Sequence, residues 1–194
     1  LAGSAKPGIH SGRERKDRSV SRQALLIVDM QQGLFGPPSD GAELVARLNA
    51  LSGRMRAQNS PVIFIQHCGA EGDGLHPSQP GHALHAGLTV APDDTIVPKK
   101  SCDAFLDTDL ASILSEQAID ELVVTGFATD FCVDTTIRSA LARGFRTIVP
   151  EDGHTTSDRH YSTADKVIEH HNFVWANLLS PAGAAQLTRC DAVP

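Results

Sequence analysis

Short apolar runs alternate with amphipathic stretches along most of this chain. Residues 24–29 (ALLIVD) form a continuous apolar run closed by a carboxylate; residues 61–66, 121–126 and 145–150 repeat the pattern, and 95–98 is a shorter fifth candidate. Runs of this kind, apolar on both alternate positions, fit strands buried on both faces of a parallel sheet. Between them, Leu44, Leu48, Leu51 and Met55 share one helical face, Leu110, Ile113 and Leu114 a second, and Val133, Ile137, Ala140 and Leu141 a third. Residues 162–165 (STAD) have the form of a capping box opening a helix in which Val167, Ile168, Val174, Trp175 and Leu178 pack inward. Strands alternating with helices predict an α/β domain, its parallel sheet covered by helices on both sides.

The ends and one long connection break this rhythm. Residues 1–22 are polar, carry a net charge of +4 and are expected to form a basic, flexible arm; residues 23–180 are the domain, and 181–194 read as a C-terminal tail. Residues 67–92 are rich in Gly and Pro, contain His76, His82 and His85, and exceed an ordinary connection inside a compact domain. Loops of that length tend to cover or line sites.

Composition narrows the class of partner. With 194 residues and 41% hydrophobic content, one core is expected. No apolar run approaches the roughly 20 residues needed to cross a bilayer, and the start of the chain lacks a charged-then-apolar export pattern, so a cytoplasmic location is expected. A formal net charge of −6 disfavours nucleic acid and anionic membrane and points to a small-molecule substrate. Cys68, Cys102, Cys132 and Cys190 show no CxxC spacing and are expected to be reduced thiols, with no metal and no cofactor.

In open α/β sheets, ligands bind beyond the carboxyl ends of the strands. Three reactive groups fall there: Asp29 closes the first run, Lys99 follows the short run ending at Pro98, and Cys132 lies in what should be the first turn after the 121–126 strand. Singly, each has an ordinary explanation as a loop anchor, a surface charge or a small buried hydrophobe. On one edge they make a coherent set. A helix N-terminus and an ammonium favour the Cys132 thiolate, Asp29 takes the proton as general base, and Lys99 holds the negative charges together. That is the chemistry of acyl transfer through a thioester.

Residues 25–31 (LLIVDMQ), Lys99 six residues before Phe105, and residues 125–133 (TGFATDFCV) resemble the signature blocks of the isochorismatase-like cysteine hydrolases. The resemblance spans about residues 24–179, and its densest part holds Gly126, Thr129, Asp130 and Cys132 in family order. It implies a Rossmann-like three-layer α/β/α sandwich with a six-stranded parallel sheet, in a homo-oligomer. It carries the acid, lysine and nucleophile roles onto Asp29, Lys99 and Cys132. It also implies an oxyanion hole made by the backbone N–H groups of Ala128 and Cys132, with a cis peptide between Phe127 and Ala128.

The activities within the family divide on details. Nicotinamidases of this family bind a metal through an Asp-x-His element that this sequence lacks, and the loop histidines read as surface or pocket residues rather than ligands. Isochorismate hydrolysis cleaves a vinyl ether without a thiol nucleophile, so Cys132 tilts the expectation toward C–N hydrolysis of a small amide, lactam or carbamoyl compound. A phospho-acceptor receiver module needs further carboxylates beside Asp29 for Mg²⁺, where Met30 and Gln31 stand instead. Leu34, His67 and Phe131 are the expected substrate contacts.

Overall fold

The computed structural model describes residues 21–35 and 41–194. Most of the predicted basic arm therefore lies outside the described residues. The elements run β1 (Gln23–Val28), α1 (Ala42–Ala57), β2 (Val62–His67), β3 (Thr95–Lys99), α2 (Leu110–Glu116), β4 (Glu121–Phe127), α3 (Asp134–Ala142), β5 (Arg146–Pro150), β6 (His154–Thr155), α4 (Ala164–Asn177) and β7 (Gln186–Thr188). The strands order as β3-β2-β1-β4-β5-β7, every pairing parallel, and the two-residue β6 pairs with β4. The sheet path thus has the six strands expected, with β6 a short addition.

Four of the five apolar runs, in β1, β2, β4 and β5, become strands because both of their faces are covered, while edge strand β3 buries one face only. Ala24, Leu26 and Val28 of β1 join one core with α2, α3 and Trp175 of α4; Leu25 and Ile27 join a second core with Leu44, Leu48, Leu51 and Met55 of α1. Two cores separated by one sheet make the three layers, and the Rossmann-like architecture is confirmed. Buried at 20–30 cal/mol per Å² of apolar area, side chains of this size each contribute roughly 1.5–3 kcal/mol.

Two sequence expectations change. Residues 181–194 are not a loose tail: Gln186–Thr188 pairs with β5, and Cys190 and Val193 are buried in the α1-side core. Three half-polar residues carry no periodicity to read, and an edge position leaves one side of the strand unpaired. The 162–165 capping box also does not form. Thr163 occupies the N-cap without a side-chain bond, and Asp158 Oδ1 accepts the Ala164 N–H at 2.8 Å instead. A carboxylate six residues away in the preceding loop does the capping that the local pattern assigned to Ser162.

Among the described residues no helix is long and apolar enough to cross a membrane.

Candidate active site

At the carboxyl edge of β1, the chain leaves the sheet through Asp29, whose φ of 48° lies in the left-handed region that aspartate tolerates better than most residues. Its neighbour β4 carries Gly126 one residue before its end, with φ at 118° and an added Cβ only 2.1 Å from the Val28 carbonyl oxygen. Only glycine lets β4 close on β1 at this point, next to Asp29. The Phe127–Ala128 peptide that follows is cis. A π-helical turn, Thr129–Val133, then carries Cys132 into α3.

Strand alternation decides which lysine enters the site. Val97 and Lys99 of β3 face inward, while Ile96, Pro98 and Lys100 are exposed. Lys99 is 2% exposed. Its Nζ donates to Asp29 Oδ2 at 2.7 Å, to the Ser101 carbonyl oxygen at 2.9 Å and to Cys132 Sγ at 3.2 Å, with His67 Nδ1 at 3.4 Å. The three groups from three strand ends therefore meet, with the ammonium between carboxylate and sulfur.

Electrostatics correct one expectation. Burial alone would lower the Lys99 pKa, but Asp29 and Cys132 outweigh it and hold the group above its ordinary value, so the ammonium is charged. Burial pushes the Cys132 thiol well up and the Asp29 charge pushes it further, while Lys99 works against both. Burial and the Asp29 charge thus favour the neutral thiol, against the helix start and the nearby lysine, which favour the thiolate. Desolvation wins because the same closure that brings Lys99 close removes water from the sulfur. Asp29 Oδ1 is buried without a hydrogen-bond partner among the described residues, which leaves one carboxylate oxygen open to accept a proton.

His67 is drawn into the cluster at the end of β2, and burial, followed by the Lys99 charge, lowers its pKa and favours the neutral ring. Leu34 lies half-buried at the end of the 3-10 turn Gln32–Leu34 that leaves β1. Phe131, beside Cys132, is 53% exposed, with the Arg159 guanidinium 5.1 Å from its ring centroid. Ala128, by contrast, is buried, and its carbonyl oxygen accepts the N–H groups of Phe131 and Val133, which sets the turn that presents the Cys132 amide.

Gln31 was not singled out from the sequence. Fully buried, it accepts the His67 N–H at 2.8 Å through Oε1 and donates through Nε2 to the His67 and His82 carbonyl oxygens at 2.9 and 2.8 Å. One carboxamide thereby ties β1 to β2 and to the long loop. A glutamine two residues after a strand-end acid was the available signal. In that loop His82 contacts Cys68 Sγ at 3.4 Å and His76 contacts Ser78 Oγ at 2.7 Å; no group of three or more metal-ligating side chains gathers among the described residues.

Known proteins are similar to this chain in sequence and in fold. Residues 23–182 match the profile of the Isochorismatase domain. A streptothricin hydrolase of Streptomyces noursei is 34% identical over 139 residues, covering 70% of this chain and 50% of the relative. The chain thus spans about half the length of that relative. A ureidoacrylate amidohydrolase of Pseudomonas syringae is 28% identical over 71% of this chain and 75% of its own length. A crystal structure described as an isochorismatase from Pseudomonas putida KT2440 superposes with a TM-score of 0.79 at 26% identity, over 94% of this chain and 95% of that one. On the strength of the domain match and the shared sheet, the chain belongs to the isochorismatase family.

Proposed function

We propose that the chain hydrolyses a C–N bond in a small amide, lactam or carbamoyl compound through a thioester on Cys132. The observation that carries this reading is the buried Lys99 ammonium, 2.7 Å from the Asp29 carboxylate and 3.2 Å from the Cys132 sulfur. The relatives named as a streptothricin hydrolase and a ureidoacrylate amidohydrolase support the reaction class.

With burial favouring the neutral thiol, the nucleophile forms during attack. Sulfur bonds to the carbonyl carbon as its proton passes to the open Asp29 Oδ1. The carbonyl oxygen gains the negative charge, which the N–H groups of Ala128 and Cys132 stabilise; one such donor is typically worth about 3 kcal/mol. Collapse breaks the C–N bond, and the Asp29 proton leaves on the nitrogen. Water then gives a proton to Asp29 and attacks the thioester, and the proton returns to sulfur as the acid departs. Throughout, Lys99 offsets the charge that moves between oxygen and sulfur. Leu34, His67 and Phe131 contact the substrate, His67 through a neutral ring. In this reading the protein works as a homo-oligomer.

The test is a panel of small amides, lactams and carbamoyl compounds assayed for released ammonia or amine, with Cys132→Ala as control and mass spectrometry of quenched protein to trap the acyl adduct. Turnover and adduct both vanish in Cys132→Ala if the reading holds. No turnover of any compound in the panel, together with cleavage of a vinyl ether that Cys132→Ala retains and Asp29→Asn loses, would overturn it in favour of proton-driven vinyl-ether cleavage.

A further inference from the structure

His154 is a fully enclosed histidine that the chemistry above does not use. It begins β6, whose backbone pairs with Gly126 and Phe127 of β4, and the residue is 3% exposed. Nδ1 lies 2.9 Å from Thr129 Oγ1 and Nε2 lies 3.0 Å from Asn172 Oδ1. A carboxamide oxygen only accepts, so Nε2 carries the ring hydrogen and Nδ1 accepts the Thr129 hydroxyl. The ring therefore links the turn before Cys132 to the middle of α4.

This link is one of three. Asp130 accepts from Arg159 Nε at 2.8 Å and from Thr156 Oγ1 at 2.6 Å. Trp175 Nε1 donates to Asp134 Oδ1 at 2.8 Å, and its ring meets His154 edge-on with centroids 5.1 Å apart. Residues 129, 130 and 134 are thus held from outside by the 154–175 segment, while Cys132 between them contacts Lys99. A π-helical turn is a poorly self-supporting stretch of backbone, so its shape depends on such external contacts.

We infer that His154 is a positioning residue for Cys132, fixing the 129–134 turn through the Thr129 hydroxyl so that the sulfur stays against the Lys99 ammonium. Its role in turnover rests on the reading of Cys132 as nucleophile. Burial pushes the imidazole down to about 4, and His171 adds to this while Asn172 and Asp152 oppose it. The link therefore keeps one tautomer throughout the neutral range and acts as a fixed strut.

The test compares Thr129→Val, Thr129→Ser and His154→Gln with the native protein, using iodoacetamide alkylation of Cys132 followed by peptide mass across pH. Thr129→Val and His154→Gln are expected to slow alkylation by about tenfold at each pH from neutral to mildly alkaline, since sulfur drifts from the ammonium that favours its thiolate. Thr129→Ser, which keeps the hydroxyl, is expected within roughly twofold of native. Profiles that superimpose on native, or Thr129→Ser impaired like Thr129→Val, overturn the inference. On any amide the panel finds, kcat falls with alkylation while KM holds. A lowered profile without any amide turnover would defeat the proposed reaction and leave the positioning role standing; turnover with an unmoved profile does the reverse. Should the variants not fold, ¹⁵N NMR of the native protein decides: the neutral Nε2–H tautomer of His154 at neutral pH supports the inference, and the Nδ1–H form or an imidazolium overturns it.

Discussion

Two cysteines in this molecule look alike at first and are built for different ends. Cys132 and Cys190 pack on opposite faces of the sheet, each near an aspartate and a cation. Burial first and the neighbouring carboxylate second raise both thiols, together bringing Cys190 to about 12. The aspartates differ. Asp152 has both oxygens engaged, Oδ1 accepting the Cys190 N–H at 2.7 Å and Oδ2 paired to Arg189 at 3.0 Å. Asp29 gives one oxygen to Lys99 and leaves the other open. Arg54 is spent on the Cys190 carbonyl, whereas the Lys99 ammonium reaches the Cys132 sulfur itself. A buried thiol becomes a candidate nucleophile when its carboxylate has a vacant oxygen and its cation touches sulfur; otherwise it is a tied-down turn.

The largest expected effect is on turnover. Cys132→Ala is expected to lower kcat on a substrate from the amide panel by about 10⁴-fold or more, equivalent to about 5.5 kcal/mol of barrier. Cys190→Ala in the same assay is expected to leave kcat/KM unchanged, and an equal loss there would erase the distinction. Next comes Lys99→Met, which strands the buried Asp29 carboxylate and is expected to cost about 3–5 kcal/mol in urea unfolding. The double variant Asp29→Asn with Lys99→Met is expected to recover part of that loss. By contrast, Arg189→Met removes an exposed partner of Asp152 and is expected to cost under about 1 kcal/mol.

Between these two lies the packing cost of Cys190→Ala, about 1–2 kcal/mol by thermal unfolding, since its sulfur fills space 3.1 Å from where a Gly153 Cβ would sit. The last effect is the pH slope. The folded Cys190 thiol ionises near 12 against 9.0 for the free group, so its contribution is complete below about 9 and lost as pH rises from 9 toward 12. Cys132 and Lys99, also raised, lose stability with the same sign. Urea titrations across this alkaline window are expected to fall less steeply in Cys190→Ala than in the native chain; identical slopes would mean that Cys190 is not neutral by burial.

Much of this was legible in one dimension. The apolar runs of β1, β2, β4 and β5 gave themselves away because a strand covered on both faces has no polar positions to hide it. Asp29 and Cys132 stood out by following such runs, and Lys99 over Lys100 agrees with the parity of Val97 along β3. β7 escaped because three half-polar residues on a sheet edge form no pattern, and the α4 cap escaped because Asp158 reaches it from a loop.

By itself the sequence determined which reactive groups exist, which strand ends carry them and that the sheet between them is parallel, because side-chain parity and two-sided burial are written locally. Tertiary structure alone decided that burial pushes the Cys132 thiol up against the pull of Lys99, that one Asp29 oxygen stays open, and that His154 and Trp175 brace the turn around Cys132. Desolvation and Coulomb energies depend on distances of a few ångströms between residues tens of positions apart in the chain, and those distances come into being only when the chain has packed.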